Sequence, residues 1–108
     1  MAFEYSYRFT QKAEQDLDEI LRYIAIDLDN PIAAKKFFET VFQKIDTVRC
    51  FPELGSLVEN EFLADKAMRK LIADQYVIYY KILHDEEMVY VIRIVYGRRN
   101  LDEILREI

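Results

Sequence analysis

The run Met88-Val89-Tyr90-Val91-Ile92-Arg93-Ile94-Val95-Tyr96 constrains this chain more than any other stretch, being β-branched or aromatic almost throughout. Its length and composition predict a strand buried on both faces. One charge, Arg93, interrupts it. Burying an unpaired guanidinium costs on the order of several kcal/mol, so Arg93 is expected to pair with a carboxylate or a carbonyl. Strict alternation puts Val89, Val91, Arg93 and Val95 on one face and Tyr90, Ile92, Ile94 and Tyr96 on the other. The Arg93 guanidinium should then emerge on the more open face. At Gly97 the chain turns, and Arg98 and Arg99 follow at once. Two readings fit: a strand that delivers paired cations to the working end of a sheet, or an interior strand with a solvated basic exit.

The rest of the chain supplies what such a strand packs on. Tyr5 to Phe9 alternates aromatic and polar residues, as a half-buried strand does. Thr10 can cap a helix carrying Ala13, Leu17, Ile20, Leu21, Ile24 and Leu28 at helical spacing, ending near Leu28. Asp29-Asn30-Pro31 reads as a turn, an N-cap and a proline at the first helical position. A second helix runs to about Cys50 with Ala34, Phe37, Phe38, Val41, Phe42, Ile45 and Val48 inward, and the short link makes the two helices an antiparallel hairpin. Phe51-Pro52-Glu53-Leu54-Gly55 stops it, and residues 56–67, without a period, read as a surface loop. Strands from Met68 to Ala73, Tyr76 to Leu83 and Met88 to Tyr96 follow as an antiparallel meander. Asn100 caps a short C-terminal helix with Glu103 for a capping box. The expected fold is α+β: an N-terminal strand and a helical hairpin packed on a curved, mainly antiparallel sheet, with the first strand at an edge or beside the last strand.

With 108 residues the chain is expected to be one domain, 1–108, and half of it is apolar, enough for a core. A single cysteine, Cys50, excludes an intrachain disulfide and reads as a small buried hydrophobe near a helix end. The opening Met1-Ala2-Phe3-Glu4 lacks the pattern of a signal peptide, and no apolar run reaches the length of a membrane span; a cytoplasmic protein without membrane contact is expected. Net charge is −5, against unspecific attraction to nucleic acid. Residues 66–99, however, hold seven basic and four acidic side chains, a net of +3, while the remainder holds 8 basic and 16 acidic, a net of −8. A localised anionic partner fits that division; so does the ordinary preference of helix surfaces for acidic residues.

The motifs taken together resemble the RelE/ParE superfamily of bacterial type II toxins, also known as plasmid stabilisation proteins. The resemblance covers nearly the whole chain. It is carried by Ala13 with Leu17 and Ile20; Asn30-Pro31 with Ala33-Ala34 and Phe37-Phe38; Phe51 to Gly55; Met68-Arg69; Tyr76 to Tyr80; and Ile92 to Asn100. It implies the small α+β toxin fold and a cognate antitoxin that wraps and neutralises the toxin. It leaves a homodimer or a heterotetramer with the antitoxin open, and implies no cofactor and no metal.

Two activities exist in the superfamily. RelE-like members are ribosome-dependent endoribonucleases that cut mRNA (mRNA interferases); they need a base for the 2′-hydroxyl, cations for the phosphate and an acid for the leaving oxygen. ParE-like members poison DNA gyrase without catalysis. Under the RelE-like reading Arg69, Arg99 and Tyr96 take catalytic roles; under either, Arg93, Arg98, Arg99 and Lys70 bind the target or its phosphates. The departures favour the ParE-like branch. The chain is acidic, the tail from Leu101 to Ile108 offers no catalytic aromatic or histidine, and Tyr96, with an ordinary tyrosine pKa near 10, is a poor base. His84 lies in an acidic turn at the far end of its strand from Gly97 and reads as a solvated turn residue.

Overall fold

The computed structural model describes residues 4–59 and 67–98. Strand β1 (Ser6–Phe9) leads into helix α1 (Gln11–Arg22), a π turn (Tyr23–Asp27) and helix α2 (Pro31–Cys50). Strands β2 (Ser56–Leu57), β3 (Arg69–Ala73), β4 (Tyr76–Leu83) and β5 (Met88–Tyr96) complete one open five-stranded sheet in the order β1-β5-β4-β3-β2. All neighbours are antiparallel except β1 and β5, which run parallel from Ser6 opposite Met88 to Phe9 opposite Val91. The first strand is therefore both at an edge and beside the last described strand, as expected. The expected C-terminal helix lies outside the described residues. No helix among the described residues is long and apolar enough to cross a membrane.

Local chemistry sets the helix ends. The Thr10 hydroxyl accepts from the Ala13 amide at 2.9 Å and donates to the Ile92 carbonyl at 2.8 Å, so one side chain caps α1 and ties it to β5. Asn30 caps α2 through the Ala33 amide at 3.1 Å, and Pro31 fills the first helical position. Ala13 and Leu17 of α1 and Phe37, Val41 and Ile45 of α2 bury themselves on Ala73, Ile78, Val91 and Ile94 of the sheet. Two expectations for the hairpin are corrected. Phe38 is 44% exposed rather than inward. The regular part of α1 stops at Arg22; the Leu28 amide then reaches back five residues to the Tyr23 carbonyl at 3.0 Å. The extra residue in that turn rotates the chain beyond it, leaving Ile26 and Leu28 exposed.

The sheet departs from strict alternation at one point. Tyr80 pairs with Val91 and Tyr79 with Arg93, so Ile92 is an extra residue on β5. The bulge swaps faces along the strand. Val91 and Ile94 pack toward the helices, while Ile92 and Val95 join Val58, Met68, Val77 and Tyr79 in a second buried cluster on the opposite face. The expected loop over 56–67 also contains structure. Ser56 and Leu57 pair with Lys70 and Arg69, two residues too few to show a period in the sequence.

Candidate functional site

The end of the sheet where β5 leaves the core gathers the features singled out in the sequence. Tyr96 pairs across to Tyr76, and the Gly97 amide donates to the Gln75 carbonyl at 2.9 Å, turning the chain so that Arg98 is exposed. Gly97 fits closely: a Cβ there would stand 3.2 Å from the Gln75 carbonyl oxygen. The Tyr76 and Tyr96 rings meet at 5.7 Å, near edge-on, and Tyr76 lies 4.9 Å from Phe37 of α2. Burial, then the neighbouring Tyr23 and Tyr96 phenols, push the Tyr76 pKa above its ordinary 10.0, so Tyr76 remains a protonated donor at neutral pH. A cleft of about 680 Å³ opens between these rings, the π turn and the start of α2.

Lys70 approaches the same end from the opposite face of the sheet. It lines a shallow groove with Val77, Tyr79, Tyr96 and Gly97. Tyr96 and Arg98 thus stand close along the chain, with Lys70 on the adjoining groove; Arg99 lies outside the described residues.

Arg69 is held elsewhere. Its Nη1 donates to the Gly55 carbonyl at 2.6 Å and to the Glu53 carbonyl at 3.2 Å. Tyr80, 1% exposed, completes this clamp: its hydroxyl donates to the Pro52 carbonyl and accepts from the Gly55 amide, both at 2.8 Å. A Cβ on Gly55 would come within 2.5 Å of that hydroxyl, so no larger residue fits. Arg69 pairs with Tyr80, four positions along β4 from Tyr76 and two strands from β5. At sheet spacings that separates Arg69 from Tyr96 by roughly 16 Å. The structure does not bring the two together.

Arg93 is a correction. Its side chain does not emerge on an open face; the residue is 3% exposed, and Nε and Nη2 donate to the two carboxylate oxygens of Asp16 at 2.7 and 3.2 Å. The expected carboxylate partner is present, but inside. Asp16 was missed because a single acid among the acids of α1 gives no sign of which way it points. The available signal was indirect: a lone arginine in a buried strand requires an acid on the element packed against it. His84, at the other end of β5, shares a 3.0 Å hydrogen bond through Nδ1 with the Tyr5 hydroxyl. Cys50 is half-buried rather than buried, its Sγ 3.8 Å from a Glu4 carboxylate oxygen. Among the described residues no cluster of three or more His, Cys, Asp or Glu side chains could hold a metal ion.

The family model described as the ParE toxin of the type II toxin–antitoxin system parDE matches residues 7–101. No curated protein matches. Among solved structures the chain is similar to a chromosomal ParDE toxin–antitoxin system from P. aeruginosa, with 18% identity, TM-score 0.68, and coverage of 88% of this chain and 98% of that one. It is similar to the RelBE2 toxin–antitoxin complex from Mycobacterium tuberculosis, with 19% identity, TM-score 0.60, and coverage of 86% and 98%. The archaeal RelE–RelB complex from Pyrococcus horikoshii matches with 12% identity, TM-score 0.61, and coverage of 90% and 99%. At such identities the likeness is one of fold.

Proposed function

Since the chain belongs to the ParE toxin family of type II toxin–antitoxin systems, we propose that it is the growth-inhibiting member of such a pair and acts by binding DNA gyrase rather than by cutting mRNA. The observation that carries this choice is the separation of Arg69 from Tyr96, the candidate base, among the described residues. Cleavage through a ribose 2′-hydroxyl needs base, acid and phosphate-binding cations within reach of one phosphate. Arg69 is occupied by backbone carbonyls and stands roughly 16 Å from Tyr96 by sheet spacing. His84 is at the opposite end of β5. Arg98, with Lys70 along the adjoining groove and Arg99 next in the chain, leaves a cationic surface suited to holding an anionic patch on a target. The resemblance to ParDE and RelBE assemblies supports an antitoxin that covers and neutralises this chain.

Expression without the antitoxin is expected to block DNA replication and induce the DNA-damage response while mRNA stays intact. Purified toxin should inhibit gyrase supercoiling, with removal of both charges in Arg98→Ala/Arg99→Ala raising the half-inhibitory concentration about tenfold, roughly 0.7 kcal/mol per charge. Primer extension on cellular mRNA decides against the alternative. Codon-phased cuts within minutes of induction, lost in Arg69→Ala, would overturn the gyrase reading in favour of a ribosome-dependent nuclease.

A further inference from the structure

Three tyrosines from three elements converge where the helical hairpin meets the end of the sheet: Tyr23 from the π turn, Tyr76 from β4 and Tyr96 from β5. Tyr23 is 48% and Tyr96 38% exposed, and the Tyr76 and Tyr96 rings stand at 61° to one another, so ring faces of different orientation bound one space. No hydrogen bond within the described residues occupies any of the three hydroxyls. Clefts open on either side of this trio. Glu19 lines one, and Asp74 with Lys36 lines the other. Neither Glu19 nor Asp74 takes part in an ion pair among the described residues, so two uncommitted carboxylates flank the rings against one ammonium.

Ring faces attract cations through their quadrupole, and adjacent carboxylates reinforce that attraction. A guanidinium meets both demands at once, stacking its plane on a tyrosine while its edge donates to phenol oxygens and carboxylates. Inside the two clefts an anion would face the negative ring faces and two carboxylates, with Lys36 the one cation among their lining residues; Arg98 and Lys70 lie outside those linings. We propose that the Tyr23–Tyr76–Tyr96 space is a cage for an arginine side chain presented by a protein partner. Tyr76, Tyr96 and Asp74 lie in the basic stretch 66–99, so the attraction for a guanidinium is local, from the ring faces, Glu19 and Asp74. This assignment is independent of whether the cellular target is gyrase.

Titration of the full chain with an acetylated, amidated Gly-Arg-Gly tripeptide, followed by tyrosine-ring NMR, tests it. Saturable shifts should appear at Tyr23, Tyr76 and Tyr96 and not at Tyr5 or Tyr7. The dissociation constant should rise about tenfold in Tyr96→Ala, the size of a lost cation–π contact, and about fivefold in Glu19→Gln/Asp74→Asn, where two carboxylate charges are removed. Both sets of positions are on the surface, and unchanged backbone spectra would confirm folding. Replacing arginine in the tripeptide by citrulline, which keeps shape and loses charge, should abolish the shifts. Equal binding of the citrulline peptide, tighter binding of uridine monophosphate or spermidine at the same rings, or no saturable shift at any of the three would overturn the proposal.

Discussion

Asp16 receives three hydrogen bonds on two oxygens: two from the Arg93 guanidinium and one from the Ile94 amide at 3.0 Å. The last of these explains why the carboxylate is retained in a core. β1 pairs with β5 only as far as Phe9 and Val91, so beyond that point the edge of β5 would present unpaired backbone groups. Thr10 takes the Ile92 carbonyl and Asp16 takes the Ile94 amide, and side chains of the helix stand in for the missing strand. Breaking a buried pair from one side strands the other charge. Arg93→Met is therefore expected to cost about 3 kcal/mol, and Asp16→Ala at least as much because it also orphans the Ile94 amide. Asp16→Asn/Arg93→Met keeps an acceptor for that amide without a charge and should recover more than half of the single-variant loss. Urea unfolding of the three variants checks this. The sequence made Arg93 conspicuous and made a partner obligatory. What it could not convey was direction, because the bulge at Ile92 that swaps faces is fixed by pairing with β4 and leaves no mark on the residues of β5 themselves.

Among the elements, β4 is the one whose chemistry is most unusual. It carries Tyr76, Tyr79 and Tyr80, and burial raises the pKa of each above 10.0; for Tyr76 the Tyr23 and Tyr96 phenols add to the rise, and for Tyr80 the Gly55 amide and Arg69 offset part of it. A phenol with a higher pKa in the folded than in the unfolded state binds its proton more tightly when folded. Its contribution is fully present below pH 10 and is lost as pH rises through the folded value. Stability should thus fall above pH 10, each such tyrosine steepening the decline by about 1.4 kcal/mol per pH unit between its two values. Tyr79→Phe should flatten the curve measured by denaturant unfolding from pH 9 to 12 as compared with the parent chain. Tyr80→Phe should in addition cost about 1–2 kcal/mol at neutral pH, because the Gly55 amide and Pro52 carbonyl lose their shared partner. The bounds of β4 and β5 were legible because long β-branched and aromatic runs ended at turn residues. β2 and the π turn were not, since two paired residues and one widened turn depend on contacts made elsewhere in the chain.

For the whole molecule, the layering of a helical hairpin on one face of an open sheet follows from amphipathic patterning, and the separation of Arg69 from Tyr96 follows from strand order, which patterning does not specify. Among the described residues no strand pairs beyond β1 or β2, and exposed Leu57 and Ile72 near the β2 edge suit a partner that adds contacts along it. Co-expression with the protein encoded by the neighbouring reading frame should yield a tight complex whose melting temperature rises with antitoxin concentration, as mass action requires. A chain that is harmless when strongly expressed and captures no binder would contradict an antitoxin-controlled role. The position of β5 has a consequence for how the chain comes into being. Within the sheet β1 pairs only with β5, and β4 meets β1 only through β5, so the strand that joins β1 to the rest of the sheet is also the last of the five to leave the ribosome. Until residues 88–96 emerge, the first strand has no partner strand, and β2, β3 and β4 form a sheet that lacks its link to β1. Every incomplete copy is thus unarmed, and a nonsense mutation anywhere before Met88 should abolish toxicity without help from an antitoxin.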